Sequence, residues 1–341
     1  MALATLQPEK ILKELRELWV ELGQGQAGQN QVGQNPEAGG GVLRACAMTL
    51  LVSAEPDGDG RDAEAAHRTI GVLMHDQPSR AIVIVPREGG EGDVTELRAR
   101  VFSECWMPFG SQRQICAEGI EISTDAEQTD EVARLLVPLI APDLPVMLWC
   151  RGPQAFRDRS LDPLFALADK IVFDTARVRH APSAIEFLRR MRRASHGRPR
   201  LADLQWTRLT GWREAVAHLL EPDGARVTAA RVAHAGEKPG TSALYFARWI
   251  EKALPAATVA LEPAEDSGSD GSLCAVTFSK AAQELSIALK KIPGGKDAAS
   301  LEVRDGAKTY ASPLPGVSEE MLLREELQIL GADPVFDRVL G

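Results

Sequence analysis

The side chains best suited to chemistry in this chain are six histidines and five cysteines, and their spacing assembles no reactive set. His67, His75, His180, His196, His218 and His234 stand apart from one another and from any cysteine at the intervals a metal site needs. Cys46, Cys105, Cys116, Cys150 and Cys274 form no C-x-x-C pair, and four of them fall in apolar, strand-like runs. Such cysteines read as reduced and buried, and a redox role needs two of them to meet in space. No G-x-S-x-G, P-loop or H-E-x-x-H sequence is present, and nothing marks two carboxylates as facing each other. Gly23, Gly25 and Gly28 match G-x-G-x-x-G, but they follow a helical pattern and lead into more glycine. The dinucleotide fingerprint needs a strand before it and a helix after it. Pro293-Gly294-Gly295-Lys296 resembles half a phosphate loop and reads better as a turn. The expectation is no catalytic residue, no cofactor and no metal.

Arginine and tryptophan supply the sharper signal. From Thr175 to Arg213, ten arginines stand against Glu186 and Asp203, a local net charge of +8 that leaves −17 for the rest of a chain of net charge −9. Such a stretch can meet a phosphorylated ligand, RNA or an acidic protein patch, or pair with the protein's own excess acid. No aromatic is interleaved with the densest arginines and no RNA-binding motif is present, which disfavours nucleic acid. The stretch ends in DLQWTRLTGWRE, Asp203 to Glu214. Trp206, Arg208, Trp212 and Arg213 are the residue types of interface anchors. The same segment also reads as a helix start packing Trp206, Leu209, Trp212, Val216 and Leu219, at spacings of 3, 3, 4 and 3. Both readings hold if the segment fastens two halves of the chain together.

Those halves are legible in the patterning. Residues 8–22 form an amphipathic helix, with Ile11, Leu15, Leu18 and Leu22 in one stripe. A Gly/Gln/Asn-rich linker follows over 23–41. The first α/β domain, 42–180, begins with the strand 42–53 and the helix 61–76, followed by a strand over 81–86 and a loop over 88–93. Strands over 97–107 and 113–123 are joined through Pro108-Phe109-Gly110-Ser111. A helix over 125–139, capped by Thr124 or Asp125, leads to the strand region 141–153, a short helix 164–170 and a last strand 171–177. An Arg-rich helix and connector, 181–209, opens on a capping box, Ser183 with Glu186. The second α/β domain, 210–341, has helices over 210–220, 241–253 and 318–330. Its strands are 224–235, 257–263, 273–280 and 284–291, with a hairpin turning at Asp305-Gly306. The fold class is mixed α/β: two similar mixed-sheet domains with flanking helices. VFSEC at 101–105 and VTFSK at 276–280 occupy equivalent slots, which suggests an internal duplication.

A chain of 341 residues suits two domains. The longest apolar region, Leu135 to Trp149, contains Pro138, Pro142, Asp143 and Pro145 and does not suit a membrane-spanning helix. The start of the chain lacks a basic segment followed by an apolar run, so no secretory signal is read there and the expected location is cytoplasmic.

Four segments together resemble the glucose-6-phosphate dehydrogenase assembly protein family, OpcA. They are QPSRAIVIV (77–85), PDLPVMLWCRGP (142–153), ADKIVFDTAR (168–177) and DLQWTRLTGWRE (203–214). The similarity runs from about residue 40 to 260, takes in LYFARWIEKAL (244–254), and is weak over the far C-terminus. Cys150 stands where the family often has a second tryptophan, and Gly211 where it often has proline. The resemblance implies a non-catalytic allosteric activator in glucose metabolism. It would bind glucose-6-phosphate dehydrogenase, favour its active oligomer and raise its apparent substrate affinity in the oxidative pentose phosphate pathway. In cyanobacterial members this is tied to thioredoxin-dependent control, and no cysteine here matches a regulatory one. The candidate partner-binding set is Arg151, Arg192, Arg193, Trp206, Arg208, Trp212 and Arg213, with the arginines at 189–200 steering encounter. Two other classes stay open: a sugar-phosphate enzyme or sensor using Arg80, Arg151 or Arg208, and a basic-patch RNA binder.

Overall fold

The structure is a computed structural model. It describes residues 7–27, 42–87, 97–108, 113–125, 129–157, 159–195, 197–221, 226–264, 270–280, 283–291, 299–314 and 316–341. Most of the 23–41 segment, the 88–93 loop, most of the Pro108–Ser111 connection, His196 and the Pro293–Lys296 sequence lie outside those residues. Two compact units divide the chain: Met1–Phe173 with Arg198–Arg200, and Asp174–Gly197 with Leu201–Gly341. Apart from Arg198–Arg200, the Arg-rich helix and connector therefore belong to the second unit.

In the first unit, α1 (Pro8–Ala27) runs beyond the expected end at residue 22, so Gly23 and Gly25 lie inside a helix. Its Trp19 donates its indole N–H to buried Glu118, which also accepts from Arg44 and Arg80. Burial works to raise the Glu118 pKa, and these three donors outweigh it and hold the carboxyl below its usual range.

The expected long strand at 42–53 divides because its two ends take different neighbours. β1 (Val42–Arg44) pairs in parallel with β5 (Gln114–Asp125), whereas β2 (Met48–Ser53) lies between β3 (Ser79–Arg87) and β6 (Val146–Cys150). The order is β1-β5-β3-β2-β6-β7, with β7 (Lys170–Phe173), and every neighbouring pair on that path is parallel. β4 (Arg98–Trp106) lies antiparallel against β5. β2 and β6 are buried throughout, as expected of central parallel strands covered on both faces, and β7 is buried as well. The helix α2 (Arg61–Met74) links β2 to β3 and buries Ala63, Ala66, Ile70, Leu73 and Met74. α3 (Thr129–Leu136) begins later than expected, because Thr124 and Asp125 prolong β5 in register with Pro86 and Arg87. The short helix α4 (Asp162–Phe165) lies earlier than the expected 164–170.

Cys105 and Cys116, opposite one another on β4 and β5, form a disulfide. That corrects the expectation of five reduced cysteines: antiparallel register brought two of them together, which linear spacing does not reveal. Gly119 has a local reason to be glycine, since a Cβ there would overlap the ring of Phe102, its partner across the same pair of strands.

In the second unit, α5 (Ala181–Ser195) starts two residues before Ser183, and the expected capping box does not form. Ser183 Oγ instead lies 2.8 Å from His180 Nδ1. β8 (Arg200–Asp203), α6 (Leu204–Thr207) and α7 (Thr210–Leu220) follow. β9 (Ala229–His234), α8 (Thr241–Ala253) and β10 (Thr258–Pro263) make a parallel β-α-β unit. β11 (Leu273–Lys280), β12 (Gln283–Lys291), β13 (Ala299–Asp305) and β14 (Lys308–Leu314) extend it in antiparallel fashion, in the order β10-β9-β11-β12-β13-β14. α9 (Glu319–Gln328) and α10 (Pro334–Leu340) close the unit. Both units contain a parallel β-α-β element, but the remaining strand orders differ, so topology adds no support for a duplication.

Candidate functional site

Besides the Glu118–Arg80 pair, two places among the described residues concentrate buried charge. The first lies in the first unit, where the chain leaves β2 toward β3 on one side while β6 flanks β2 on the other. In an open α/β sheet, the crevice at the carboxyl ends of two such strands is the usual ligand site. Here it is filled from within. Arg151, directly after β6, donates through Nε and Nη2 to both carboxylate oxygens of Asp62, at 2.9 Å each, and its guanidinium lies 4.3 Å from the centre of the Trp149 ring. Arg151 is 2 % exposed. Asp57 accepts the N–H groups of Gly60 and Asp62 at the start of α2, and Asp62 accepts that of Glu55. The donors that would hold a pyrophosphate are thus committed to carboxylates, which also repel an anion.

The second place is a polar knot in the second unit. β7 ends at Phe173 and Asp174 follows, while Asp203 ends β8, and each aspartate caps the short helical turn after it. Asp203 is fully buried and accepts four hydrogen bonds: from Thr175 N–H at 3.1 Å, Thr175 Oγ1 at 2.6 Å, Gln205 N–H at 2.9 Å and Tyr245 Oη at 2.7 Å. Arg208 grips Asp174 with both terminal nitrogens, at 2.7 and 2.9 Å. Burial pushes the Asp203 carboxyl up to about 6 despite its donors, with the nearby Asp174 adding to the rise. A cavity of about 420 Å³ sits beside the knot, lined in part by Thr175, Arg177, Gln205, Thr241, Ser242 and Asp270. Within the knot the Asp203 carboxyl is occupied by four donors, and burial holds Tyr245 well above its ordinary pKa.

A pH dependence follows. Asp203 has a folded pKa of about 6 against 3.8 unperturbed, so the folded state binds its proton more tightly than the unfolded chain does. Its contribution to stability is fully present below about pH 4 and is lost as pH rises through 6, a loss of order 3 kcal/mol. Asp203→Asn cannot ionise. In urea titrations its midpoint should lack the fall between pH 4 and 7 that the parent shows from this group. Equal pH slopes in the two proteins would contradict the assignment.

The seven candidate partner-binding residues divide sharply. Arg151 is buried against Asp62 as described. Trp206 and Trp212 are 2 % and 4 % exposed. The Trp206 indole N–H donates to Asp333 and its ring stacks on Phe336, while Trp212 meets Phe246 edge-on. Arg208 is held by Asp174, and Arg213 lies 3.8 Å over the Trp206 ring, its pKa lowered by burial. Leu209, Val216 and Leu219 are buried too, so the packed helix start is what the segment forms. Three of these five side chains, Arg151, Trp206 and Trp212, are thus packed in the interior of their own units, whereas Arg208 and Arg213 stay half-buried. Arg192 and Arg193 reach solvent, Arg192 pairing with Asp337 and Arg193 exposed. Much of the arginine excess is answered by acid from the same unit, Arg177 by Glu319 and Arg192 by Asp337.

Sequence reasoning did not single out Asp62, Asp174, Asp203, Thr175 or Tyr245. Its available signal was an aspartate closing each of two strand runs, KIVFD and RLAD, where a side chain must cap the turn that follows. Among the described residues, no group of three or more His, Cys, Asp or Glu is placed to hold a metal ion. No helix among them is long and apolar enough to cross a membrane.

The architecture defines a two-unit α/β protein whose strongest polar groups are turned inward. Two domain families match the chain, both described under the heading "Glucose-6-phosphate dehydrogenase subunit": the N-terminal domain over residues 71–193 and the C-terminal domain over residues 199–340. The chain belongs to the OpcA family of glucose-6-phosphate dehydrogenase assembly proteins. A relative from Nostoc punctiforme, described as a candidate OxPP cycle protein OpcA, is 27 % identical over 182 residues. That match spans 52 % of this chain and 38 % of the relative. Among solved structures, a levoglucosan dehydrogenase with NADH and L-sorbose is 8 % identical, with a TM-score of 0.46 over 87 % of this chain and 93 % of that one. A scyllo-inositol dehydrogenase from Lactobacillus casei is 9 % identical, with a TM-score of 0.42 over 87 % and 94 %. Likeness at that level carries no argument about activity.

Proposed function

We propose that this chain binds glucose-6-phosphate dehydrogenase as a non-catalytic assembly factor, favours its active oligomer and raises its apparent affinity for substrate in the oxidative pentose phosphate pathway. The observation that carries this reading is the match of both family domains along most of the chain. The geometry agrees with it: Arg80, Arg151 and Arg208, the arginines best placed in sequence to clasp a sugar phosphate, are committed to Glu118, Asp62 and Asp174. The mechanism is a population shift, in which binding the competent dehydrogenase state more tightly than the idle one moves the equilibrium by the difference. A tenfold change in apparent affinity needs about 1.4 kcal/mol of such preference. A cytoplasmic location fits this partner.

The steering surface is α5, where Arg190 and Arg193 are exposed beside Arg192, while the buried Trp206 and Trp212 and the half-buried Arg208 and Arg213 act indirectly by fixing the elements around it. Kinetics of the same organism's dehydrogenase with and without this protein test the function: the substrate KM should fall when it is added. Arg192→Glu with Arg193→Glu should slow association about 10-fold at low salt and flatten its salt dependence. An unchanged association rate removes the steering role. A dehydrogenase that neither binds the chain nor changes its kinetics removes the function itself.

A further inference from the structure

The second unit's six-stranded sheet presents two unlike faces. Residues pointing inward, among them Val232, Val276, Phe278, Ile287, Leu301 and Val303, are buried. α7 and α8 pack on this side: Gly211 of α7 faces Leu314, and Ser242 of α8 accepts the N–H of Leu273. The alternate residues point outward and are half-buried or exposed. Strand register sets Glu262, Ala233, Ala275, Ala288, Glu302 and Ala311 in one row across all six strands. Four of the six are alanine, where a solvated sheet face ordinarily carries long polar side chains. We propose that this outward face is the contact between two copies of this chain.

Extent and charge both favour a second copy. Six strands about 4.8 Å apart and three outward residues per strand cover roughly 600 Å² in projection, so two facing copies bring together roughly 1,200 Å², the lower bound of a specific interface. Arg231 pairs with Glu284 and Arg304 with Glu302 within the face, and exposed Lys290 offsets exposed Glu262. The face is thus neutral although the chain carries a net charge of −9. Two identical acidic molecules repel over most of their surfaces, and a neutral patch holding both signs lets them meet without that cost. Small side chains allow two sheets to approach closely, and their ordering entropy is low.

Sedimentation velocity of the full chain alone, at about 10 µM, should show a dimer. Ala275→Glu and, separately, Ala288→Arg should each weaken dimerisation about 10-fold or more, with circular dichroism and melting temperature retained. A parent chain that stays monomeric at about 100 µM overturns the proposal, as does a dimer that persists in both folded variants. If the parent is monomeric and the variants lose binding to the dehydrogenase, the face belongs to the dehydrogenase instead. Because the dimer is read without the dehydrogenase, its failure is distinguishable from failure of the proposed function.

Discussion

Asp62→Ala is expected to lower the stability of the first unit by about 3–5 kcal/mol, read as the shift of a urea unfolding midpoint. The reason is what the substitution leaves behind. Arg151 is nearly absent from solvent, its guanidinium against Trp149. With Asp62 gone, both of its hydrogen bonds to that carboxylate are lost and the guanidinium remains in a low-dielectric crevice. The N–H of Glu55 loses its acceptor as well. Adding Arg151→Met should return much of the loss, because an apolar side chain of similar length no longer needs the Asp62 carboxylate. The double variant should therefore be more stable than Asp62→Ala alone. If the single variant costs less than about 1 kcal/mol, water reaches the guanidinium and the crevice is not sealed.

The contrast between Arg151 and Arg193 shows which part of this molecule was legible in sequence. Helix and strand periodicity placed the elements of the second half well: 241–253 and 273–280 coincide with α8 and β11. Periodicity is local, and it reports a face without saying what covers it. Trp206, Trp212 and Arg151 were legible as important side chains, but whether they point into a core or at a partner depends on elements far along the chain, Asp333 and Phe336 in one case and Asp62 in the other. The Cys105–Cys116 bond and the division of the 42–53 strand are likewise products of register between distant segments. The capping box failed for a smaller reason: the helix begins at Ala181, two residues before Ser183, and His180 Nδ1 accepts the Ser183 N–H.

Trp206→Ala should destabilise the second unit by about 3–5 kcal/mol, as expected for a large buried aromatic truncated to a methyl group. Several contacts depend on that ring at once. It stacks on Phe336 with centroids 5.6 Å apart, meets Tyr245 edge-on at 6.3 Å, and supports the guanidinium of Arg213. Its N–H donates at 2.8 Å to the carboxylate of Asp333, whose other oxygen accepts the N–H groups of Val335 and Phe336 at the start of α10. The indole thus orients the residue that caps the last helix, and α10 in turn supplies Asp337 to Arg192 and the Leu340 carbonyl to Arg189 on α5. Trp206→Phe separates packing from capping: it keeps an aromatic ring and loses the N–H, so its cost should be about 1–2 kcal/mol. A tryptophan that anchored a partner from the surface would behave in the opposite way, with both variants keeping the parent's urea midpoint and losing affinity for the dehydrogenase. Measuring midpoint and affinity on the same two variants therefore decides between an internal latch and an exposed anchor, and the buried geometry requires the midpoint to move first.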